Sequence, residues 1–157
     1  MSKWSPRGLG RLVVDLLKAG LTPEKLALCL VLGVVLGTAP VIGSTTILCA
    51  AAAALLGLNQ PLIQTVNYLV YPLQFAMIIP FIRAGEWAFD SPRLHMSARE
   101  IAGAVARDPL AAISAFWNVT MQALVAWLLF GVVTTLLTYP PLVVVLRRVA
   151  RAKKVAA

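Results

Sequence analysis

Gly43-Ser44-Thr45-Thr46 stands directly before an apolar helical stretch that starts at Ile47. The first N–H groups of a helix have no partner within the helix, and hydroxyls beside them help to attract an anion such as a phosphate. The same four residues also fit plain N-capping by Ser44 or Thr45. A second polar group follows: Asn67, Tyr71 and Gln74 lie inside an apolar stretch that ends at Arg83. Tyr71 belongs to an internal echo, Leu69-Val-Tyr-Pro-Leu73 against Leu137-Thr-Tyr-Pro-Pro-Leu142, which brings in Tyr139. At ~1.5 Å per residue both tyrosines fall ~12–15 Å inside a ~30 Å hydrocarbon layer. Proline-broken helices that meet at such a depth expose backbone dipoles to a polar substrate. The alternative is a pair of kinks used for packing.

This chemistry is binding and passage rather than bond-making. No Asp, Glu, His or Lys occurs between residues 26 and 82. No Ser/His/Asp set, paired carboxylates or nucleotide loop is present, so an enzyme is not expected. A membrane-embedded enzyme would need Glu86 or Asp90 to fold inward. Arg83 and Glu86, three residues apart, are placed to pair at the end of their helix. Cys29 and Cys49 sit in apolar stretches and His95 has no ligand partner at helical spacing, so no metal, cofactor or disulfide is expected.

The frame around these groups is apolar. Of the 157 residues, 60% are hydrophobic and 13% charged, with a mean hydropathy of +0.85. A soluble domain has about 25% charged residues, and a chain this short has too little interior to hide so much apolar surface from water. The expected class is therefore an integral membrane protein. Fourteen Lys and Arg stand against six Asp and Glu, a net charge of +8, with the excess gathered toward the two ends. That bias puts both termini in the cytoplasm. No basic face with interleaved aromatics accompanies it, so nucleic acid is not an expected partner. Asp15 and Lys18 interrupt the first apolar pattern, so a cleavable signal is not expected.

The elements follow from periodicity and breakers. Residues 6–19 form an amphipathic interfacial helix, with Arg7, Arg11 and Lys18 facing anionic lipid. Residues 24–58 form a helical hairpin whose two apolar arms, at ~1.5 Å per residue, are too short for ~30 Å of hydrocarbon. The hairpin is either re-entrant, with its Gly/Pro/Ser/Thr turn inside the membrane, or a pair of short spans. Residues 61–83 form a transmembrane helix broken by Pro72 and Pro80. Residues 84–118 form an outer loop with short helices, Trp87 and Trp117 lying at headgroup level. Residues 119–146 form a second spanning helix broken at Pro140-Pro141, and 147–157 a basic tail. The fold expected is a single all-α membrane domain.

Thr22-Pro-Glu-Lys-Leu-Ala27, Gly33-x-x-x-Gly37-x-x-Pro40-x-x-Gly43-x-x-Thr46 and Asn59-x-Pro61 resemble the DUF2062 family of bacterial proteins of unknown function, over Leu21 to Phe89. Tyr71-Pro-Leu-Gln74 and Pro80-Phe-Ile-Arg-x-Gly-Glu86 resemble one branch of it; many relatives carry Asn-Pro-Leu-Thr in place of Tyr-Pro-Leu-Gln. The resemblance implies a membrane protein and brings no established activity.

A polar interior without catalytic groups points to passage or flipping of an anionic lipid-like substrate, a polyprenyl phosphate or a phospholipid. The path would join the Gly43–Thr46 turn, Asn67, Tyr71, Gln74 and Tyr139, with Arg83 at one mouth. So small a bundle is expected to form a homo-oligomer and to have membrane lipids as partners. The alternative is a non-transporting scaffold that recruits a partner protein through its basic N-terminal helix.

Overall fold

The computed structural model describes residues 21–41, 43–91 and 106–155, which form four α-helices and no strand. These are α1 (Pro23–Gly37), α2 (Thr45–Leu56), α3 (Gln60–Ala88) and α4 (Pro109–Val155). The expected interfacial helix, with Arg7, Arg11 and Lys18, lies outside the described residues, as do His95 and most of the expected outer loop.

Local chemistry sets where the hairpin helices begin and end. Thr22 Oγ1 accepts from the Lys25 N–H at 3.3 Å, Pro23 holds the first helical position, and Glu24 sits at the positive end of the helix dipole. Asn59 Oδ1 accepts from the Leu62 N–H at 2.9 Å and starts α3 in the same way, with Pro61 behind it. Gly57 ends α2 in the left-handed region at φ +58°, which glycine adopts without steric cost. The Lys25 ammonium donates to the Gly57 carbonyl at 2.9 Å and ties the foot of one arm to the foot of the other.

The prolines do not break the long helices. α3 runs 29 residues through Pro72 and Pro80, and α4 runs 47 residues through Pro140 and Pro141. Each proline removes one N–H, so the carbonyls of Tyr68, Ala76, Leu136 and Leu137 lose their usual donor. In apolar surroundings the remaining hydrogen bonds of each turn have no substitute, which favours continuing the helix over opening it. α3 therefore runs past residue 83 to Ala88. α4 takes in residues 109–118 and most of the basic tail, where Arg147, Arg148 and Arg151 suit the negative end of its dipole.

Among the described residues two stretches are long and apolar enough to cross a membrane: Gln60–Ala88, mean hydropathy 1.4, and Phe116–Ala152, mean hydropathy 2.0. At ~1.5 Å per residue α1 and α2 cover only ~22 and ~18 Å. α1 packs against the other three helices, and α3 packs against α4. Leu26, Cys29, Cys49, Ile63 and Leu146 form a core around the feet of the arms, and Ala39, Phe81, Ala123 and Trp127 form another around the hairpin turn. The helices cross at short range. A Cβ on Gly85 would lie 2.7 Å from the Gln122 carbonyl carbon, and one on Gly33 would lie 2.7 Å from Val66 Cβ.

At the foot of the bundle Arg147 Nε donates to Glu24 Oε1 at 2.7 Å, joining α4 to α1. The Glu24 carboxyl is held below its ordinary value, first by a backbone N–H and then by Arg147.

Gly85→Ala must move the α4 backbone, so it is expected to destabilise by about 1–3 kcal/mol. Thermal unfolding in detergent, beside the exposed control Ala84→Ser, reads the difference. A lowered folded-state pKa stabilises above the ordinary carboxylate value and ceases to as pH falls through the depressed one. The gap in unfolding temperature between the parent and Glu24→Gln is therefore expected to be full at neutral pH and to close on acidification below the carboxylate range.

Candidate functional site

A chain that turns back between short helices leaves carbonyls without intrahelical donors, and in an apolar setting each needs another. Around the hairpin turn, side chains from the long helices meet much of this demand, and one also reaches into α2. Gln74 Nε2 donates to the Ala39 carbonyl at 2.9 Å. Gln64 Nε2 donates to the Thr46 carbonyl at 2.9 Å, and Asn67 Nδ2 donates to Gln64 Oε1 at 3.3 Å. The Val35 carbonyl accepts from the Trp127 indole and from the Thr38 hydroxyl, each at 2.9 Å.

Helical geometry places these groups. Gln64, Asn67 and Gln74 lie on one face of α3, at steps of three and seven residues, together with buried Ile63, Phe81 and Gly85. Asn67, Gln74 and Thr45 are fully buried. Gln74 stands ~21 Å along a helix ~43 Å long, so the turn meets α3 near its middle.

Three oxygens in this seam have no hydrogen-bond partner among the described residues: Thr45 Oγ1, Asn67 Oδ1 and Gln74 Oε1. Buried polar atoms are seldom left so. Ser44, at the N-cap of α2, makes no side-chain cap; its hydroxyl donates backward to the Val41 carbonyl at 2.8 Å. Gly43 is exposed at φ +88°. The N-terminus of α2 is therefore not capped by Ser44, and the buried Thr45 hydroxyl lies at its first position.

The other sequence candidates divide. Tyr71 is half-buried and its ring neighbours are Tyr68, at 6.1 Å, and Phe75, at 6.3 Å, both on its own helix. Tyr139 packs against the core at the feet of the arms. The two tyrosines of the sequence echo thus belong to different surroundings rather than to one junction of broken helices. Arg83 Nη1 donates to Glu86 Oε2 at 2.8 Å, the expected pairing, with Glu86 buried. That carboxylate compensates the Arg83 charge and lessens its pull on an anion. Asp90 is exposed at the end of α3. Among the described residues no group of three His, Cys, Asp or Glu is placed to hold a metal ion.

Gln64, Trp127 and Lys25 are the contributors that motif reasoning passes over. Gln64 was findable, because it shares a helical face with Asn67 and Gln74. Trp127 and Lys25 were not, because their acceptors are main-chain atoms 92 and 32 residues away. A cleft of about 270 Å³ lies beside the Trp127 indole between α1 and α4, lined mostly by apolar residues, Leu32, Val35, Leu36, Leu128 and Gly131 among them, with Thr135 at its wall.

Trp127→Phe keeps the ring and removes the donor to the Val35 carbonyl, so it is expected to cost about 1–2 kcal/mol. Thermal unfolding in detergent checks it; an unchanged midpoint would show that the hydroxyl and N–H of Thr38 satisfy that carbonyl without the indole.

The sequence model of DUF2062, described as an uncharacterized protein conserved in bacteria, matches residues 7–154. No curated protein and no solved structure matches the chain.

Proposed function

The chain belongs to the DUF2062 family of bacterial proteins, and from that premise we propose that it is a small integral protein of the bacterial inner membrane that passes the headgroup of an anionic lipid-like substrate across the bilayer. The observation that carries the proposal is the buried polar seam where the hairpin turn meets the middle of α3, with three oxygens left unpartnered. In this reading the hairpin is re-entrant, and α3 and α4 span. Exposed Trp117 and Arg147 stand ~45 Å apart along α4, close to the ~40–45 Å of a bilayer with its headgroups. The basic foot, with Lys25, Arg147, Arg148 and Arg151, faces the cytoplasm, and both termini lie there.

The substrate phosphate would meet the N–H groups at the start of α2 and the Thr45 hydroxyl, then Asn67 and Gln74 in succession. Tyr71 would border this route, and Tyr139 falls outside it. Arg83, paired with Glu86, would mark the far mouth. An apolar chain fits the cleft beside Trp127. The seam is closed to solvent, so passage requires the hairpin to part from α3. Its joints are single hydrogen bonds, which a headgroup can replace one at a time. A homo-oligomer would shield such a route from lipid. No bond is made or broken in this role, and no cofactor is required.

Reconstitution in liposomes tests it, with fluorescent phospholipid and polyprenyl-phosphate analogues followed between leaflets. Movement above that in empty liposomes is expected, together with its loss in Gln74→Leu. No movement of any analogue, with correct insertion established, would reject transport and favour a scaffold that recruits a partner protein.

A further inference from the structure

The orientation of the buried amides determines what the seam can bind. A backbone carbonyl only accepts, so the Thr46 carbonyl fixes Gln64 with its NH₂ toward Thr46 and its Oε1 toward Asn67. Gln64 Oε1 then fixes Asn67 with its NH₂ inward, leaving Asn67 Oδ1 as the free atom. The Ala39 carbonyl fixes Gln74 in the same way and leaves Gln74 Oε1 free. Turning any one of these amides would set two oxygens against each other. Both side chains are fully buried, and both unsatisfied atoms are acceptors. They stand two turns apart on one face of α3, ~10 Å along its axis. Besides the second N–H of each amide, the donors of the seam lie at the Thr45 hydroxyl and the first N–H groups of α2.

A bare phosphate suits the donors and is repelled by the acceptors. A headgroup that carries a phosphate together with hydroxyl or ammonium donors suits both. We infer that, within the transport role proposed above, the seam requires the phosphate rather than a net negative charge, and that the substrates are phospholipids whose headgroup also donates hydrogen bonds, an ethanolamine or a glycerol, in preference to a choline headgroup or an unadorned phosphate monoester. The phosphate rests at the start of α2 while the donor group meets Asn67 Oδ1, and then Gln74 Oε1 as the headgroup advances.

The test uses the full-length protein in liposomes and four phospholipids labelled on the acyl chain: phosphatidylethanolamine, phosphatidylcholine, phosphatidylglycerol and phosphatidic acid. The first two are both zwitterionic and the last two both anionic, so donor capacity is separated from charge. Within each pair the donor-bearing lipid is expected to cross about three- to tenfold faster, the rate equivalent of one hydrogen bond. Equal rates within both pairs would overturn the inference, showing that water or nothing at all meets these oxygens, while leaving transport itself standing. If none of the four moves, the inference fails, and movement of the polyprenyl-phosphate analogue decides whether the transport role stands. Thr45→Val is nearly isosteric and removes a hydroxyl that makes no bond in the protein, so its unfolding temperature is expected to match or exceed that of the parent. A lower rate for all four lipids in that variant supports the phosphate position, and an unchanged rate rejects it.

Discussion

The fold depends on supplying donors to carbonyls that a helical hairpin leaves open. α1 ends in the middle of the bundle rather than at its surface, so the Val35 and Ala39 carbonyls cannot turn to water, and the Thr46 carbonyl inside α2 takes an additional donor. An amide or indole from a longer helix serves each of them. Those donors explain why α3 carries Gln64 and Gln74 in an otherwise apolar face. They also explain why Trp127 is buried, whereas Trp87 and Trp117 are exposed. At the foot of the hairpin the same need is met by Lys25 at the Gly57 carbonyl, where a charged donor can stay in contact with solvent.

Close packing follows from this arrangement. A donor on a neighbouring helix reaches a main-chain carbonyl only if the two backbones lie near each other, and Gly33, Gly37 and Gly131 provide the approach. Gly37 faces Asn67 and Gly131 faces Val35, so the small residues stand beside the hydrogen-bonded ones. The polar seam and the tight crossings form one device, in which neither part serves without the other. What remains over in that device is three buried oxygens without a partner among the described residues.

Much of the architecture was legible from local rules. Thr22, Gly57 and Asn59 mark helix ends through chemistry that acts within four residues, and the Arg83–Glu86 pair lies within one turn. The polar residues of α3 announced themselves by sharing a face that lipid could not accept. The prolines misled, because a breaker rule calibrated in water overstates their effect where the rest of the turn has nowhere else to bond. The tyrosine echo misled as well: Tyr71 and Tyr139 have similar neighbours in sequence and different neighbours in space. The partners of Gln74 and Trp127 were out of reach for a different reason. A main-chain carbonyl carries no side-chain label, and 35 or 92 residues separate donor from acceptor.

The order of the chain imposes a schedule. The hairpin is synthesised first, yet its open carbonyls are met by Gln64, Gln74 and Trp127, which emerge from the ribosome later. Until α4 has been made, the turn has no finished setting in which to sit. The hairpin turn thus gains its full set of donors only once residues as late as Trp127 are present.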